Sequence, residues 1–202
     1  MTRLLSGSTQ ELAGRRVTLR MLRPDDYEEW SEVRRRCRDW LAPWEPRVPP
    51  EYQEPDRRSF AARCGIREGE RQLGSGYGFG IFVGKRFAGE INLSSVQRGP
   101  FQNAYVGYWI DKALAGNGYV PEALVVLARF AFEDLGLHRL QVAIIPRNHA
   151  SRRVVEKLGF RDEGIAKRYL EINGIWEDHI RYAMTAEEWW ERREELLDAW
   201  VR

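Results

Sequence analysis

The sequence predicts a mixed α+β (α/β mixed) fold: a central mixed sheet, mostly antiparallel with one parallel pair, and helices on both faces. Three patterns predict it. Residues 77–83, 87–96 and 104–110 are strand-like runs joined by short turns, as in an antiparallel meander. An apolar helix-like stretch at 120–135 and then a strand-like 140–145 give a strand, helix, strand order, which requires a parallel pair. Asn173-Gly174, between 166–172 and 175–183, is the strongest short hairpin signal available, because both turn positions need positive φ.

The remaining elements follow in chain order. Val17-Thr18-Leu19-Arg20-Met21-Leu22 alternates with period two and reads as a strand. Pro24-Asp25-Asp26 then opens a helix with acids in its first turn. Tyr27, Trp30, Val33, Cys37, Trp40 and Leu41 give that helix one apolar face, and Arg34, Arg35, Arg36 and Arg38 cover the rest as a solvated face. Pro43, Pro46, Pro49, Pro50 and Pro55 crowd residues 41–55, which predicts an ordered loop that carries Trp44 either into a cleft or onto the core. A short helix at 56–70 precedes a glycine-rich entry into the meander. A helix at 150–158 should end at Gly159. Thr185-Ala186-Glu187-Glu188 is a capping box for a last helix with Trp189, Trp190, Leu196 and Trp200.

The chain has 202 residues, 43% hydrophobic and 31% charged, so a single folded domain over 1–202 is expected. Its 32 basic and 30 acidic residues leave +2, too little to indicate direct nucleic-acid or membrane binding. Cys37 and Cys64 stand in no Cys/His spacing, so neither a disulfide framework nor a metal site is expected. The first residues lack the apolar stretch of a signal peptide and no run approaches the ~18 apolar residues of a membrane span, so the expected location is cytoplasmic.

The first chemical signal is Tyr108-Trp109-Ile110-Asp111 followed by Ala115-Gly116-Asn117-Gly118-Tyr119-Val120-Pro121-Glu122. A strand runs through a glycine-bearing turn into a helix with an early proline. Backbone N–H groups at such a turn can approach an anion closely, and a pyrophosphate is the natural guest. The turn is neither a Walker A loop nor a GxGxxG, and taken alone it is equally compatible with a plain tight turn. The second signal is Pro146-Arg147-Asn148-His149-Ala150-Ser151-Arg152-Arg153, continuing to Leu158-Gly159-Phe160.

With Asn148, Ser151, Leu158, Gly159 and Phe160 at this spacing, the chain resembles the GNAT superfamily of acetyl-CoA-dependent N-acetyltransferases. Within it the resemblance is to the RimJ/RimL group, nearer RimJ, which acetylates the N-terminal α-amine of ribosomal proteins. Leu41-Ala42-Pro43-Trp44-Glu45-Pro46, Asn92-Leu93-Ser94, the 115–124 loop and Asn173-Gly174-Ile175-Trp176-Glu177-Asp178-His179 carry it. The resemblance implies a GNAT-like fold and acetyl-CoA as co-substrate. Coenzyme contacts would come from Tyr108, Trp109, Ile110, Gly116, Asn117, Gly118, Tyr119, Val120, Asn148 and Arg153, with Arg152 a further option. Ala115 and Val120 depart from the loop pattern, and Val155 stands where the superfamily often has a tyrosine general acid. Ser151, which aligns with a serine given that task in RimL-type enzymes, is the candidate donor.

Amide formation needs an amine freed of its proton, a stabilised oxyanion and a proton for the leaving thiolate. Glu171 and Glu90 are the candidate bases; in RimL-type enzymes the base glutamate aligns with Leu170, and a one-residue shift reverses a strand face. Asp178 and His179 are adjacent in a strand and cannot form a dyad; one of them should face the cleft. Trp44, Asn92, Ser94 and Asp178 are the candidate acceptor contacts. The expected acceptor is a protein or peptide N-terminus on a ribosome-associated substrate, handled by a monomer or homodimer. A small amine (antibiotic, polyamine or amino acid) and a non-catalytic acetyl-CoA-binding module remain the alternatives.

Overall fold

The structure, a computed structural model, describes residues 11–47 and 56–202. One eight-stranded sheet, in the order β1-β2-β3-β4-β5-β6-β8-β7, runs through it. Its strands are β1 (Leu12–Ala13), β2 (Val17–Arg20), β3 (Tyr77–Val83), β4 (Arg86–Gln97), β5 (Asn103–Ile110), β6 (Arg139–Ile144), β7 (Arg161–Ile172) and β8 (Ile175–Thr185). Every neighbouring pair is antiparallel except β5 with β6. That parallel contact holds only from Asn103–Arg139 to Tyr105–Gln141. Past it β5 keeps pairing with β4 alone, so the edge of β5 from Val106 to Ile110 opens toward the gap beside β6.

Among the described residues six α-helices pack on this sheet: α1 (Tyr27–Arg36), α2 (Arg38–Leu41), α3 (Arg57–Leu73), α4 (Tyr119–Arg129), α5 (His149–Lys157) and α6 (Ala186–Trp200). The alternation of β4 decides what they cover. Ile91 and Leu93 point into the main core with Leu124, Leu127 and Leu140, under α4 and α6. Phe82 and Phe87 meet Trp30, Val33, Cys37, Leu41 and Phe60 in a second core under α1, α2 and α3. Glu90, Asn92 and Ser94 occupy the intervening positions of β4 and are half-buried.

The structure lengthens or divides several predicted elements. The helix expected from Pro24 starts as a 3₁₀ turn (Pro24–Asp26), and Cys37 separates α1 from α2. The proline-rich stretch continues helically as a second 3₁₀ turn (Ala42–Trp44), whereas Pro49, Pro50 and Pro55 lie outside the described residues. α3 extends to Leu73 and stops at Gly74, whose φ is +67°. α4 gives way to a π turn at Phe130–Asp134. β7 begins five residues before the expected 166, because two bulges, with Gly164 and Arg168 at positive φ, break the alternation that would have revealed it. β1 is too short to have a pattern. The hairpin and capping box form as read: Asn173 and Gly174 have φ of +48° and +84°, and the Thr185 N–H donates to Glu188 Oε2 at 2.8 Å.

Candidate active site

A cavity of about 1170 Å³ fills the gap where β5 and β6 part and passes through to the α1–α3 side of the sheet. One end is built on the glycine loop and the starts of α4 and α5; the other is walled by β4, α2 and α3.

At the loop end, a 3₁₀ turn (Lys112–Leu114), capped by Asp111, delivers the chain to Gly116 and Gly118. Both glycines sit in the left-handed region, at +83° and +82°, where an L side chain is strained. A Cβ on Gly116 would project into open space, so nothing of the protein blocks that side of the turn. The first N–H groups of α4 follow at once and have no intrahelical acceptors, which gives this end a partial positive charge. Arg153 and Lys157 on α5 line the same end. An open strand edge for an amide-bearing chain, followed by a cationic helix start for phosphates, fits coenzyme A. A buried staple holds the loop: the Glu122 carboxylate of α4 accepts from Val17 N at 2.9 Å, Arg16 Nε at 2.8 Å and the Arg16 N–H. Arg16 also donates to the Asn117 carbonyl at 3.0 Å and lies over the Tyr119 ring.

Tyr108 and Ser151 meet midway along the cavity wall. The Ser151 hydroxyl donates to the Tyr108 oxygen at 2.9 Å, and the Tyr108 hydroxyl donates in turn to the Ser151 carbonyl at 3.1 Å. Burial pushes the Tyr108 phenol above its usual range, against the opposing hydrogen bond from Ser151. Asn148 Oδ1 accepts the Ser151 N–H at 3.1 Å and so starts α5. Val155 is fully buried in the core.

At the far end Glu90 faces the cavity between two fixed donors, Trp30 Nε1 at 2.8 Å and the Arg63 guanidinium. Asn92 and Ser94 line the cavity from the same strand face, and Trp40 and Trp44 from the chain after α1. Arg34 clamps Glu45 through two hydrogen bonds of 2.6 and 2.8 Å, while Arg147 covers the Trp44 ring and pairs with Glu177 at 2.8 Å. Arg63 and Arg67 are cavity residues with no place in the sequence-based expectations, and Glu45, Cys64 and Arg147 line the cavity without having been given a role there. The i, i+1, i+4 spacing of the three on α3 was the available signal.

Most sequence-selected residues therefore meet in one cavity: Tyr108, Trp109, Ile110, Gly116, Gly118, Tyr119, Val120, Asn148, Ser151 and Arg153, with Trp44, Glu90, Asn92 and Ser94. Four do not. Glu171 is exposed and outside it, because the pairing Leu170–Glu177 and Glu171–Trp176 turns Leu170, not Glu171, to the cavity. Asp178 shares the outward face and spends its carboxylate on Arg168 N at 2.9 Å and Lys167 Nζ at 3.0 Å. His179 is buried against Tyr169, with Nδ1 3.0 Å from the Glu177 carbonyl, so neither member of that pair lines the cavity. Asn117 does not line it either; its amide donates to the Leu114 and Ala115 carbonyls, which shapes the turn. Arg152 turns to Tyr182 and the Pro146 carbonyl. Among the described residues no group of three or more His, Cys, Asp or Glu could hold a metal ion, and no helix is long and apolar enough to cross a membrane.

Comparison with known proteins gives this geometry a family. The [Ribosomal protein uS5]-alanine N-acetyltransferase of Escherichia coli is 33% identical over 86% of this chain and 90% of its own length. The "Probable N-acetyltransferase YjcK" of Bacillus subtilis is 46% identical over 105 residues, 51% of this chain and 58% of YjcK. In structure, Mycobacterium smegmatis RimJ, solved with CoA-disulfide, superposes with a TM-score of 0.86 at 33% identity, over 96% of this chain and 92% of that one. The acetyltransferase (GNAT) domain matches residues 16–161, and the chain belongs to that family as an acetyl-CoA-dependent N-acetyltransferase.

Proposed function

We propose that this chain transfers the acetyl group of acetyl-CoA to the N-terminal α-amine of a protein, with a ribosomal protein as the acceptor class and the cytoplasm as the place of reaction. The observation that carries the reading is the acceptor end of the cavity. One fixed carboxylate, Glu90, stands beside the polar pair Asn92 and Ser94 under the Trp40/Trp44 wall. The Glu90 carboxylate, shared with the Arg63 guanidinium, faces the cavity as the anionic partner for an ammonium group, and the first peptide bond has hydrogen-bonding groups next to it. The similarity to a protein acting on uS5 alanine supports the same acceptor class.

Each residue then has a task. The open edge of β5 and the glycine loop bind the co-substrate and aim its thioester along the cavity. Glu90, directly or through water, takes the proton that leaves the amine. Ser151 presents a hydroxyl to the departing sulfur. Asp178 and Glu171 have no part in it.

A second reading, a small amine acceptor, is favoured by one contact: Asn173 N donates to the Glu45 carbonyl at 2.9 Å, so the hairpin tip touches the chain after α2 and narrows the acceptor mouth. One competition separates the two. A free-amine peptide and its N-terminally blocked, lysine-containing twin are offered together at neutral pH. The α-amine, with a reference pKa near 7.7–8.0, should be acetylated, and the lysine, near 10.4, should not. Equal labelling of both, or a preference for a polyamine over either, overturns the peptide reading.

A further inference from the structure

The phenol of Tyr108 lines the cavity and has no task in the proposed reaction. The superfamily's tyrosine position is filled by Val155, which is buried in the core and can give no proton. Ser151 alone gives up its proton reluctantly, since an aliphatic hydroxyl is a weak acid, and at thiolate expulsion a proton must reach sulfur. The structure supplies a phenol from a different element. Tyr108 reaches from β5 to the first turn of α5, its oxygen 2.9 Å from Ser151 Oγ, and both residues line the cavity.

Taking the Proposed function's role for Ser151 as given, we propose that Tyr108 is a positioning and proton-relay residue: its phenol orients the Ser151 hydroxyl and replaces the proton that Ser151 gives to the leaving thiolate. As the C–N bond forms and the C–S bond breaks, the electron pair of the C–S bond leaves on sulfur. At rest Ser151 Oγ–H donates to the Tyr108 oxygen and the phenol O–H to the Ser151 carbonyl. For the transfer both hydroxyls rotate: Ser151 Oγ–H protonates the sulfur, the Tyr108 O–H turns to Ser151 Oγ and passes its proton there, and solvent restores the phenol. The proton released by the amine balances the one taken by sulfur. Burial keeps the phenol protonated between turnovers and makes it a weaker acid than a free phenol, so its part is to reload Ser151 rather than to protonate sulfur itself. Between turnovers the 3.1 Å bond from the Tyr108 hydroxyl to the Ser151 carbonyl sets the ring against the start of α5, so the phenol oxygen stays within reach of Ser151 Oγ when its proton turns from the carbonyl to that oxygen.

The alternative is that Tyr108 only anchors α5, and the two roles predict different numbers. Tyr108→Phe, Ser151→Ala and the double variant are assayed by release of free coenzyme A thiol, with whichever amine the wild-type enzyme accepts. A peptide that is refused therefore counts against the acceptor reading alone and leaves the relay to be measured on a small amine. For a relay, Tyr108→Phe lowers kcat at least ten-fold with the acetyl-CoA KM within about two-fold. The double variant is then no slower than the slower single one, because the two hydroxyls act as a unit. An anchor instead raises the acetyl-CoA KM, and its loss multiplies with that of Ser151→Ala. Multiplying losses, or a Tyr108→Phe enzyme with unchanged kcat, overturn the relay. Thermal unfolding of each variant with and without coenzyme A reports whether the fold and the coenzyme site survive the substitution.

Discussion

Glu122 is the residue on which the coenzyme end of the site depends most heavily, and its removal has a cost that can be worked out. The side chain is 1% exposed and accepts the N–H groups of Arg16 and Val17 together with the Arg16 guanidinium. Glu122→Ala leaves two peptide N–H groups without their acceptor, at ~1–3 kcal/mol for each one that water cannot reach. Val17 is as buried as Glu122, whereas Arg16 is half exposed and its guanidinium can return to solvent. The expected loss is therefore about 2–4 kcal/mol rather than the ~3–5 kcal/mol of breaking a fully buried ion pair. In a chain of this size that lowers Tm by roughly 5–15 °C, at ~2–4 °C per kcal/mol. The same change frees Arg16 from the position in which it holds the Asn117 carbonyl, so coenzyme A affinity should fall as well. Glu122→Gln keeps one acceptor for Val17 and should cost less than half as much. Urea unfolding at constant m gives the stability difference, and calorimetric titration gives the affinity. A Glu122→Ala protein within 1 kcal/mol of wild type, with unchanged coenzyme affinity, would refute both the staple and its link to the loop.

Other outcomes follow from the same geometry. At a hundred times its Kd, coenzyme A should stabilise the wild type by about 2.7 kcal/mol, and Gly118→Asp, with a carboxylate at the anion turn, should abolish most of the thermal shift; a full shift would remove the pyrophosphate from this loop. Glu90→Gln should lower kcat by ~10²-fold or more without changing the acetyl-CoA KM, as loss of a general base does, and a loss below about three-fold would assign the amine proton to water. Burial opposes the Asp26 carboxylate, but the Arg20 side chain and the Arg23 N–H outweigh it and hold it below its ordinary 3.8. The folded state thus binds this proton less readily than the unfolded chain. Its contribution is complete above the ordinary value and is lost as pH falls through the depressed one, so Asp26→Asn should flatten the acid limb of stability measured by urea unfolding between pH 5 and pH 2; an unchanged limb would refute it.

The fold was legible wherever a local pattern sufficed. The meander, the crossover around α4, the Asn173-Gly174 turn and the Thr185 capping box each announce themselves within a few residues, and each forms. The coenzyme end was legible for the same reason: its turn, strand edge and helix starts are contiguous segments whose work is done by backbone. The acceptor end was not. Arg63 and Arg67 reach Glu90 and the Gly78 backbone only because α3 lies across β3 and β4, and no short-range pattern records that. Tyr108 was legible as a strand residue, but its partner Ser151 is 43 residues away, so the hydroxyl pair emerges only in three dimensions.

The sharpest failure of local reading is in β7, and it can be tested directly. Glu171, a carboxylate two residues before the hairpin turn, was a candidate for the cavity one residue from Leu170. The strand carries bulges between Asp162 and Ile165 and between Ala166 and Leu170, the second around Arg168 at φ +46°. The first bulge adds one unpartnered residue to β7 and the second adds two, so parity counted from Arg161 is lost before the hairpin whereas parity counted from Ala166 is kept. Cross-strand pairing restores it: Leu170 faces Glu177 and Glu171 faces Trp176, and residues paired across an antiparallel ladder share a face. Leu170 thus points to the cavity beside Trp44, and Glu171 points to solvent with the exposed Trp176. Arginine placed at the two positions should then have opposite consequences. Leu170→Arg puts a long cation into the acceptor chamber, where it competes with the substrate ammonium, and should raise the acceptor KM about ten-fold or more, by ~1.4 kcal/mol for each factor of ten. Glu171→Arg should leave the acceptor KM within about two-fold, and neither change should alter coenzyme A binding. Steady-state kinetics on the two variants decide it, because the reverse order of effects would mean that the register of β7 is shifted by one residue and that Glu171 belongs in the site.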